Sequence, residues 1–350
     1  MMTPYYAQLK NEEELIMEKC EYAHEREKLE EIVPRSAPFV IYLDPCGACN
    51  FKCNFCPCNI SDFYTAERHK MMDWTLFEKI VEDLKAFQGQ VKVINLFGFG
   101  EPLLNPRIAD MVRMLKENHC CREIRITTNA SLLIEEKSRA LIDAGVDLIR
   151  VSVEALSTDG YRGLCGVNVD FNKIVENVKK FYQISRGTKS RITAKIISAT
   201  LKTEEDEKQF YKIFSSITDH RFIEDVEMYW TEFDEIELPE NQHIEGKQSC
   251  YLSQEKRKIC SFPFTDMCIH SNGLVGACCA DWKFATQYGD VNIEHLTNIW
   301  NGEKHLEFQR AHLERRLSSY NQFCAACIRK PPDEISDPIS LLEKLSKRYD

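Results

Sequence analysis

Six short apolar runs recur between residues 38 and about 230, and segments with helical periodicity lie between them. The runs are Phe39 to Leu43, Val91 to Phe97, Glu123 to Thr128, Asp147 to Val153, Ile192 to Ser198 and Val226 to Trp230. Strands that alternate with helices predict parallel βα units wound in one right-handed sense. Six such units stop short of a closed barrel, so the expected fold class is α/β, an open partial barrel. Between the first two runs, Thr75 to Phe87 reads as a helix, with Thr75 and Glu78 as a capping box and an apolar stripe at Phe77, Ile80, Val81 and Leu84. Asn105-Pro106 opens the next helix, with Pro at a favourable first position. In barrels of this kind chemistry sits at the carboxyl ends of the strands.

The first run leads into a loop with Cys49, Cys53 and Cys56, spaced Cys-x3-Cys-x2-Cys and followed by Pro57. Iron-sulfur clusters are held through cysteine sulfur, so three thiolates on one short loop bind three irons of a cubane and leave the fourth without a protein ligand. An open iron is a place for a substrate or cofactor. Structural zinc sites favour two Cys-x2-Cys pairs or a mixed Cys/His set, which this triplet fits poorly. Cys46 and Cys58 flank the triplet and offer the competing pairs Cys46-x2-Cys49 and Cys56-x-Cys58. Taken with the preceding strand and the following Pro, the 49, 53, 56 spacing resembles the signature of the radical S-adenosylmethionine (radical SAM) superfamily. The resemblance implies an open iron that chelates S-adenosyl-L-methionine (AdoMet). Reductive cleavage of AdoMet then gives methionine and a 5'-deoxyadenosyl radical, which takes a hydrogen atom from substrate.

Gly98-Phe99-Gly100-Glu101-Pro102 follows the second run. Glycines at a strand end let the backbone approach a ligand closely and take positive φ. The family carries a Gly-Gly-Glu-Pro-like motif here, whose backbone and Glu hold the AdoMet amino group; by resemblance Gly98, Phe99, Gly100 and Glu101 bind cofactor, with Phe99 where a glycine is common. The same resemblance gives Asn129, Ser152 and Glu154 to the ribose hydroxyls and the methionine carboxylate. As isolated residues they read equally as turn and cap residues. Tyr161 to Gly166 matches a family segment in which an Arg precedes the last glycine. Cys165 stands in that place, and Arg162 is expected to reach the carboxylate from a different turn.

Glu232 to Gly246 is acidic and without period, and reads as a linker or lid. Beyond it come Cys260-Ser261-Phe262-Pro263, a glycine-bounded hairpin leading to Cys278 and Cys279, Ile299-Trp300, and Cys324-Ala325-Ala326-Cys327. This order resembles the twitch form of the SPASM extension. The resemblance assigns Cys260, Cys278, Cys324 and Cys327 to one fully ligated auxiliary cluster, a zinc ribbon being the alternative for these four residues. Cys278 is preferred to Cys279 because its offset from Gly273 fits the hairpin. The gaps of 18, 46 and 3 residues most resemble 2-deoxy-scyllo-inosamine dehydrogenase-type enzymes.

The implied whole is a partial (β/α)6 TIM-like barrel with a small C-terminal twitch/SPASM iron-sulfur domain, carrying two 4Fe-4S clusters and AdoMet. The expected divisions are a charged helical extension over 1–37, the barrel over 38–231, a linker or lid over 232–258, the auxiliary-cluster unit over 259–330 and a tail helix over 331–350. Residues 11 to 33 read as an amphipathic helix lying across the barrel and ended by Pro34.

A fully ligated second cluster has no position for AdoMet, so electron transfer is its expected use. After hydrogen abstraction at a carbinol carbon, a base takes the hydroxyl proton and the auxiliary cluster takes the electron, leaving a ketone. Lys195, Glu227 and Tyr229 are candidate bases. The runner-up is epimerisation, with Cys268 or Cys165 returning a hydrogen atom. Peptide modification is disfavoured by the want of a winged-helix module ahead of the barrel, and a plain electron carrier or sensor has no use for an AdoMet pocket. Cys250 and Cys268 are otherwise unassigned, either small buried hydrophobes or substrate-facing thiols.

Across the 350 residues, 45 basic and 55 acidic side chains leave a net charge of -10 with no basic block, so neither nucleic acid nor an anionic membrane is expected as partner. The N-terminus lacks the pattern of a signal peptide, which makes the expected location cytoplasmic. Sixteen cysteines in that reducing compartment point to metal rather than disulfides. The expected partners are a small-molecule substrate and a flavodoxin- or ferredoxin-type electron donor.

Overall fold

The computed structural model of the chain describes residues 29–56, 68, 70–224, 259–327, 335 and 337–347. After a short helix, α1 (Leu29–Ile32), six strands follow one another in the chain: β1 (Val40–Leu43), β2 (Val93–Asn95), β3 (Glu123–Thr128), β4 (Leu148–Val153), β5 (Arg191–Ile197) and β6 (His220–Glu224). Each pairs in parallel with the next. The helices between them are α2 (Trp74–Lys85), α3 (Ile108–Glu117), α4 (Glu135–Asp143), α5 (Thr158–Cys165), α6 (Phe171–Ser185) and α7 (Glu204–Phe214). The expected βα alternation and parallel sheet are thus present.

Successive strand residues point to opposite faces. One face is apolar throughout: Ile41, Leu43, Ile94, Ile124, Ile126, Ile149, Val151, Ile192 and Ala194 are buried in one cluster with Phe77, Ile80, Val112, Leu115, Ile174 and Phe181 of the helices. The other face is polar. Asn95 is in register with Arg125, Thr127 with Arg150, Arg150 with Thr193, and Ser152 with Lys195. A slip of one residue would exchange the two faces, so the apolar set fixes the register.

Two expectations need correction, and a third falls mostly outside the described residues. The sixth strand is His220–Glu224, ahead of the run Val226 to Trp230, which lies outside the described residues. Its sequence, His-Arg-Phe-Ile-Glu, is half-buried throughout and lacks the apolar content that the later run offers. Helix α2 is capped by Asp73, whose carboxylate accepts the N–H groups of Thr75 and Leu76 at 2.9 and 3.3 Å. Thr75 is therefore inside the helix, and Glu78 accepts the indole N–H of Trp74 instead of closing a capping box. Of the helix expected over residues 11 to 33, residues 11–28 lie outside the described residues; in the described part Leu29 and Val33 share a cluster with Leu306, Leu313, Leu341 and Leu345.

The sheet does not end at β1. After α8 (Phe262–Thr265), strand β7 (Asp266–Ile269) lies parallel to β1 on its free edge, pairing Val40 with Asp266 through Leu43 with Ile269. Strands β8 (Leu274–Gly276) and β9 (Gln287–Asp290) add antiparallel, completing a nine-stranded sheet in the order β6-β5-β4-β3-β2-β1-β7-β8-β9. Helices α9 (Leu296–Asn301), α10 (Glu303–Leu313), α11 (Leu317–Tyr320), α12 (Gln322–Ala326) and α13 (Pro338–Ser346) follow. The Cys260 to Cys327 region is therefore continuous with the barrel sheet, and β7 delivers its carboxyl end beside that of β1. Among the described residues no helix is long and apolar enough to cross a membrane.

Candidate active site

The cysteine loop leaves the carboxyl end of β1 and is held from three sides. Asn129, just past β3, donates its amide to Asn50 at 2.9 Å, and Asn50 in turn donates to Ser131 at 2.9 Å. The end of α5 accepts the loop's backbone, with Lys52 N–H on Cys165 O at 2.8 Å and Asn54 N–H on Leu164 O at 3.0 Å. Phe51 packs edge-on against the buried ring of Tyr161 at 6.0 Å. The backbone N–H of Phe51 points to Cys49 Sγ at 3.4 Å, an N–H···S contact that favours the thiolate form. Burial, the larger effect, pushes the Cys49 thiol up to about 12. The thiol of Cys165, hydrogen-bonded to Cys53, pushes Cys53 up as well. Neutral thiols are what such a loop holds until cationic iron offsets the cost of three buried thiolates. Cys46 is apart from this: its thiol is buried and directed to Ala48 O at 3.5 Å, and its backbone bridges Met71. Pro57 and Cys58 lie outside the described residues.

The loop after β2 closes over the cysteine loop at contact distance. A Cβ on Gly100 would stand 2.0 Å from Cys46 O and 2.4 Å from Ala48 O, and one on Gly98 would stand 2.4 Å from Asp44 Cγ. Glu101 N–H bonds Ala48 O at 2.8 Å. The Glu101 side chain is buried, and its oxygens take Thr128 Oγ1 at 2.6 Å, Leu103 N–H at 2.9 Å and Asn129 N–H at 2.8 Å. It braces the glycine loop against β3, so its action on a ligand runs through the Gly98–Gly100 backbone. Asn129 is likewise engaged, accepting from Ser131 while donating to Asn50.

Ser152 and Glu154 stand at the carboxyl end of β4. Glu154 is 8% exposed, and its Oε2 is buried without a hydrogen-bond partner. Burial, partly offset by Lys195, raises its pKa to about 7. A buried carboxylate oxygen left unsatisfied beside the cysteine loop asks for a donor from a bound molecule, and this fits a cationic, hydroxyl-bearing cofactor. Arg162 does not join the group. It lies on the exposed face of α5, bonded to Asp159 at 2.9 Å and Asn168 at 3.2 Å. The reach expected of it toward the methionine carboxylate is absent here, because Cys165, not Arg162, occupies the inward position of that helix.

The second cysteine set converges on one cavity, lined by Cys260, Cys278, Cys324 and Cys327. Cys279 is not among the lining residues. Local structure presents each thiol. Ala280 N–H points to Cys278 Sγ at 3.4 Å, and Asn321 caps α12 by accepting Cys324 N–H at 3.0 Å while donating to Ala285 O at 2.8 Å. Pro263 O is clamped by His305 and Gln309 of α10, each at 2.8 Å, which sets the turn after Cys260. Among the described residues no three His, Cys, Asp or Glu side chains converge on a single ion. Four thiols spread around a cavity match the corners of a cubane better than the tetrahedron of one zinc.

Between Phe99 of the glycine loop and Phe284 of the loop after Cys278 stands His270, which sequence reasoning missed. It follows β7 on the face that carries Cys268 and Tyr42, stacks on Phe99 at 6.3 Å and lies 4.0 Å from the Phe284 ring centroid. It is 4% exposed, and its Nε2 is buried without a hydrogen-bond partner. Burial, then the charge of Arg68, pushes it down to about 3, so the ring is neutral. The only sequence signal was its place two residues after Cys268 on an alternating strand. Phe99, unusual in its motif, gives His270 a flat surface to rest on. Lys195 forms an ion pair with Glu224. Cys268 is buried, with Cys278 and Cys279 close enough to push its thiol further up after burial. Cys165 is buried behind the loop at Cys53. Glu227, Tyr229 and Cys250 lie outside the described residues.

Comparison with known proteins accords with this geometry. Residues 43–207 match the radical SAM superfamily, and residues 260–328 match the SPASM iron-sulfur cluster-binding domain, together about two-thirds of the chain. Among curated proteins, the chain is 35% identical over 118 residues to a tungsten-containing aldehyde ferredoxin oxidoreductase cofactor-modifying protein of Pyrococcus furiosus, covering 34% of this chain and 31% of that protein. It is 30% identical over 147 residues to a GTP 3',8-cyclase of Staphylococcus carnosus, covering 41% and 42%. The chain thus spans less than half the length of these relatives. Among solved structures, BtrN in complex with AdoMet and 2-DOIA aligns with a TM-score of 0.53 at 17% identity, covering 87% of this chain and 98% of that one. Native anSMEcpe with bound AdoMet aligns at 0.60 and 15%, covering 89% and 96%. At these identities the likeness is one of fold. Radical SAM domains bind a 4Fe-4S cluster with AdoMet, and SPASM domains bind auxiliary iron-sulfur clusters. The chain carries a radical SAM domain over residues 43–207 and a SPASM iron-sulfur domain over residues 260–328, the latter on the edge of its barrel sheet.

Proposed function

We propose that the protein is a radical SAM oxidoreductase that oxidises an alcohol of a small polar, carbohydrate- or cyclitol-like molecule, receiving electrons from a flavodoxin- or ferredoxin-type donor. In this reading Cys49, Cys53 and Cys56 hold the cluster that binds AdoMet, and Cys260, Cys278, Cys324 and Cys327 hold the auxiliary one. When bound, these groups supply hydrogen abstraction and an acceptor for one electron.

The observation that carries the reading is His270, a neutral, buried imidazole with an unpartnered Nε2 between the AdoMet loop and the auxiliary-cluster hairpin. Alcohol oxidation needs a proton acceptor within hydrogen-bond reach of the hydroxyl. The neutral ring keeps a lone pair for that proton, and loss of the carbinol hydrogen makes the hydroxyl proton far more acidic than in the alcohol. Nε2 takes that proton, and Phe99 and Phe284 hold the ring and exclude water. The polar barrel face, with Asn95, Thr127, Arg150, Ser152 and Thr193, suits a substrate dense in hydroxyl or amino groups.

The test is an anaerobic assay of the reduced, iron-loaded protein against a panel of cyclitols, aminocyclitols and sugars, reading 5'-deoxyadenosine and ketone together. His270→Phe should keep deoxyadenosine formation and lose ketone formation by about 10²-fold or more. Ketone formation at the wild-type rate in that variant would remove His270 from the role. Cys268, buried on the same face as Tyr42, favours epimerisation as a second reading; it predicts a deuteron from D2O at the carbinol carbon and no ketone.

A further inference from the structure

Two side chains other than the thiols bring polar hydrogens to the auxiliary cavity, Thr286 and His312. The Thr286 hydroxyl is engaged within its own loop: it donates to Asp281 Oδ2 at 2.7 Å and accepts Ala277 N–H at 3.3 Å. His312 lies in the last turn of α10, 1% exposed, with its ring edge-on to Phe308 at 4.9 Å. His305, Phe308, Gln309 and His312 fall at i, i+3, i+4 and i+7, along one face of the helix. His305 and Gln309 fix that face to Pro263 O, so His312 is held one turn further on, at the cavity wall. The rest of the lining is apolar.

We infer that the His312 imidazole donates an N–H to a sulfur of the auxiliary cluster and thereby raises its reduction potential. This rests on the reading that the four cysteines hold that cluster. The reduced cluster carries one more negative charge than the oxidised one, so a fixed N–H dipole stabilises it more. Hydrogen bonds to the sulfurs and burial are established controls of cluster potential. In an apolar wall the effect is largest, because no water competes for the sulfur. His312 is thus a positioning residue that acts through the cluster, poising it to accept an electron.

The test uses the full chain with both clusters reconstituted. EPR-monitored redox titration separates the clusters, since AdoMet perturbs only the signal of the one with an open iron. His312→Leu should move the midpoint of the AdoMet-insensitive signal to more negative potential at unchanged iron content, while His312→Gln, which keeps an N–H, should stay nearer the wild type. In wild-type protein labelled with 15N in histidine alone, pulsed EPR of the reduced auxiliary cluster should show a weak 15N coupling. An unchanged midpoint in the Leu variant, or no 15N-histidine coupling in the wild type, overturns the proposal. Should the Leu variant lose its cluster, the labelled wild type decides. A wild type with no second cluster overturns the underlying reading too, and its iron content tells the two failures apart.

Discussion

Glu101 Oε2 accepts the backbone N–H of Asn129 at 2.8 Å, and with the Thr128 hydroxyl on Oε1 this contact fastens the glycine loop after β2 to the end of β3. Asn129 then holds Asn50 of the cysteine loop, so three strand ends are joined through two buried side chains. Glu101→Gln is nearly isosteric, yet it places an NH2 group against the N–H of either Leu103 or Asn129. The expected loss is about 1–3 kcal/mol of stability, read as a lower thermal midpoint, together with an AdoMet affinity weaker by about ten-fold in calorimetry. A Gln variant as stable and as tight as the wild type would show that the brace is dispensable.

Gly98 and Gly100 are required for closeness. Ala at Gly100 has no room against Cys46 O at 2.0 Å and Ala48 O at 2.4 Å, and both obstacles are backbone. Gly100→Ala should therefore displace the cysteine loop and abolish AdoMet cleavage. Gly163 in α5 has nothing within 4 Å of its added Cβ. Gly163→Ala is the matched control and should keep cleavage, with a gain of about 0.5–1 kcal/mol in helix stability.

The adjacent thiols Cys278 and Cys279 should separate cleanly. Cys278 lines the auxiliary cavity and Cys279 does not. Cys278→Ala is expected to lower iron content by about four per chain, and Cys279→Ala to leave it unchanged. The reverse pattern would move the ligand by one residue.

Much of this site is legible in the sequence, and the misses share a cause. Both cysteine sets stand out because their members lie close in sequence or follow a recurrent spacing. The glycine loop is legible because a strand end with two glycines signals close backbone approach. The direction of Arg162 is not legible in the sequence, because it depends on which face of α5 turns inward, and Cys165 takes that face. The pairing of β7 with β1 joins residues more than two hundred positions apart, and no local pattern reports it. His270 and His312 look like ordinary core histidines until that pairing brings His270 against Phe99 of the glycine loop and the fold of α10 brings His312 to the cavity of the second cysteine set.

Asp44 gives a pH prediction. It is buried at the end of β1, accepting Cys46 N–H at 3.2 Å and the N–H of Ser271. Burial raises its pKa from 3.8 to about 7. The folded state therefore holds this proton more tightly than the unfolded state, and the associated stability is full below the unfolded value and lost as pH rises through the folded one. Between about pH 4 and pH 7 the wild type should lose thermal stability relative to Asp44→Asn, with little further change above about pH 8. Parallel pH profiles for the two proteins would contradict the burial argument.

The central claim, two clusters held by two cysteine sets with one of them binding AdoMet, is tested most directly by iron and sulfide content together with reductive AdoMet cleavage. The comparison is between the wild type and the Cys49/Cys53/Cys56 triple Ala variant, both reconstituted without oxygen. The account predicts about eight irons in the wild type and about four in the variant, with 5'-deoxyadenosine formed only by the wild type. Zinc in place of iron, or continued cleavage by the triple variant, would contradict it.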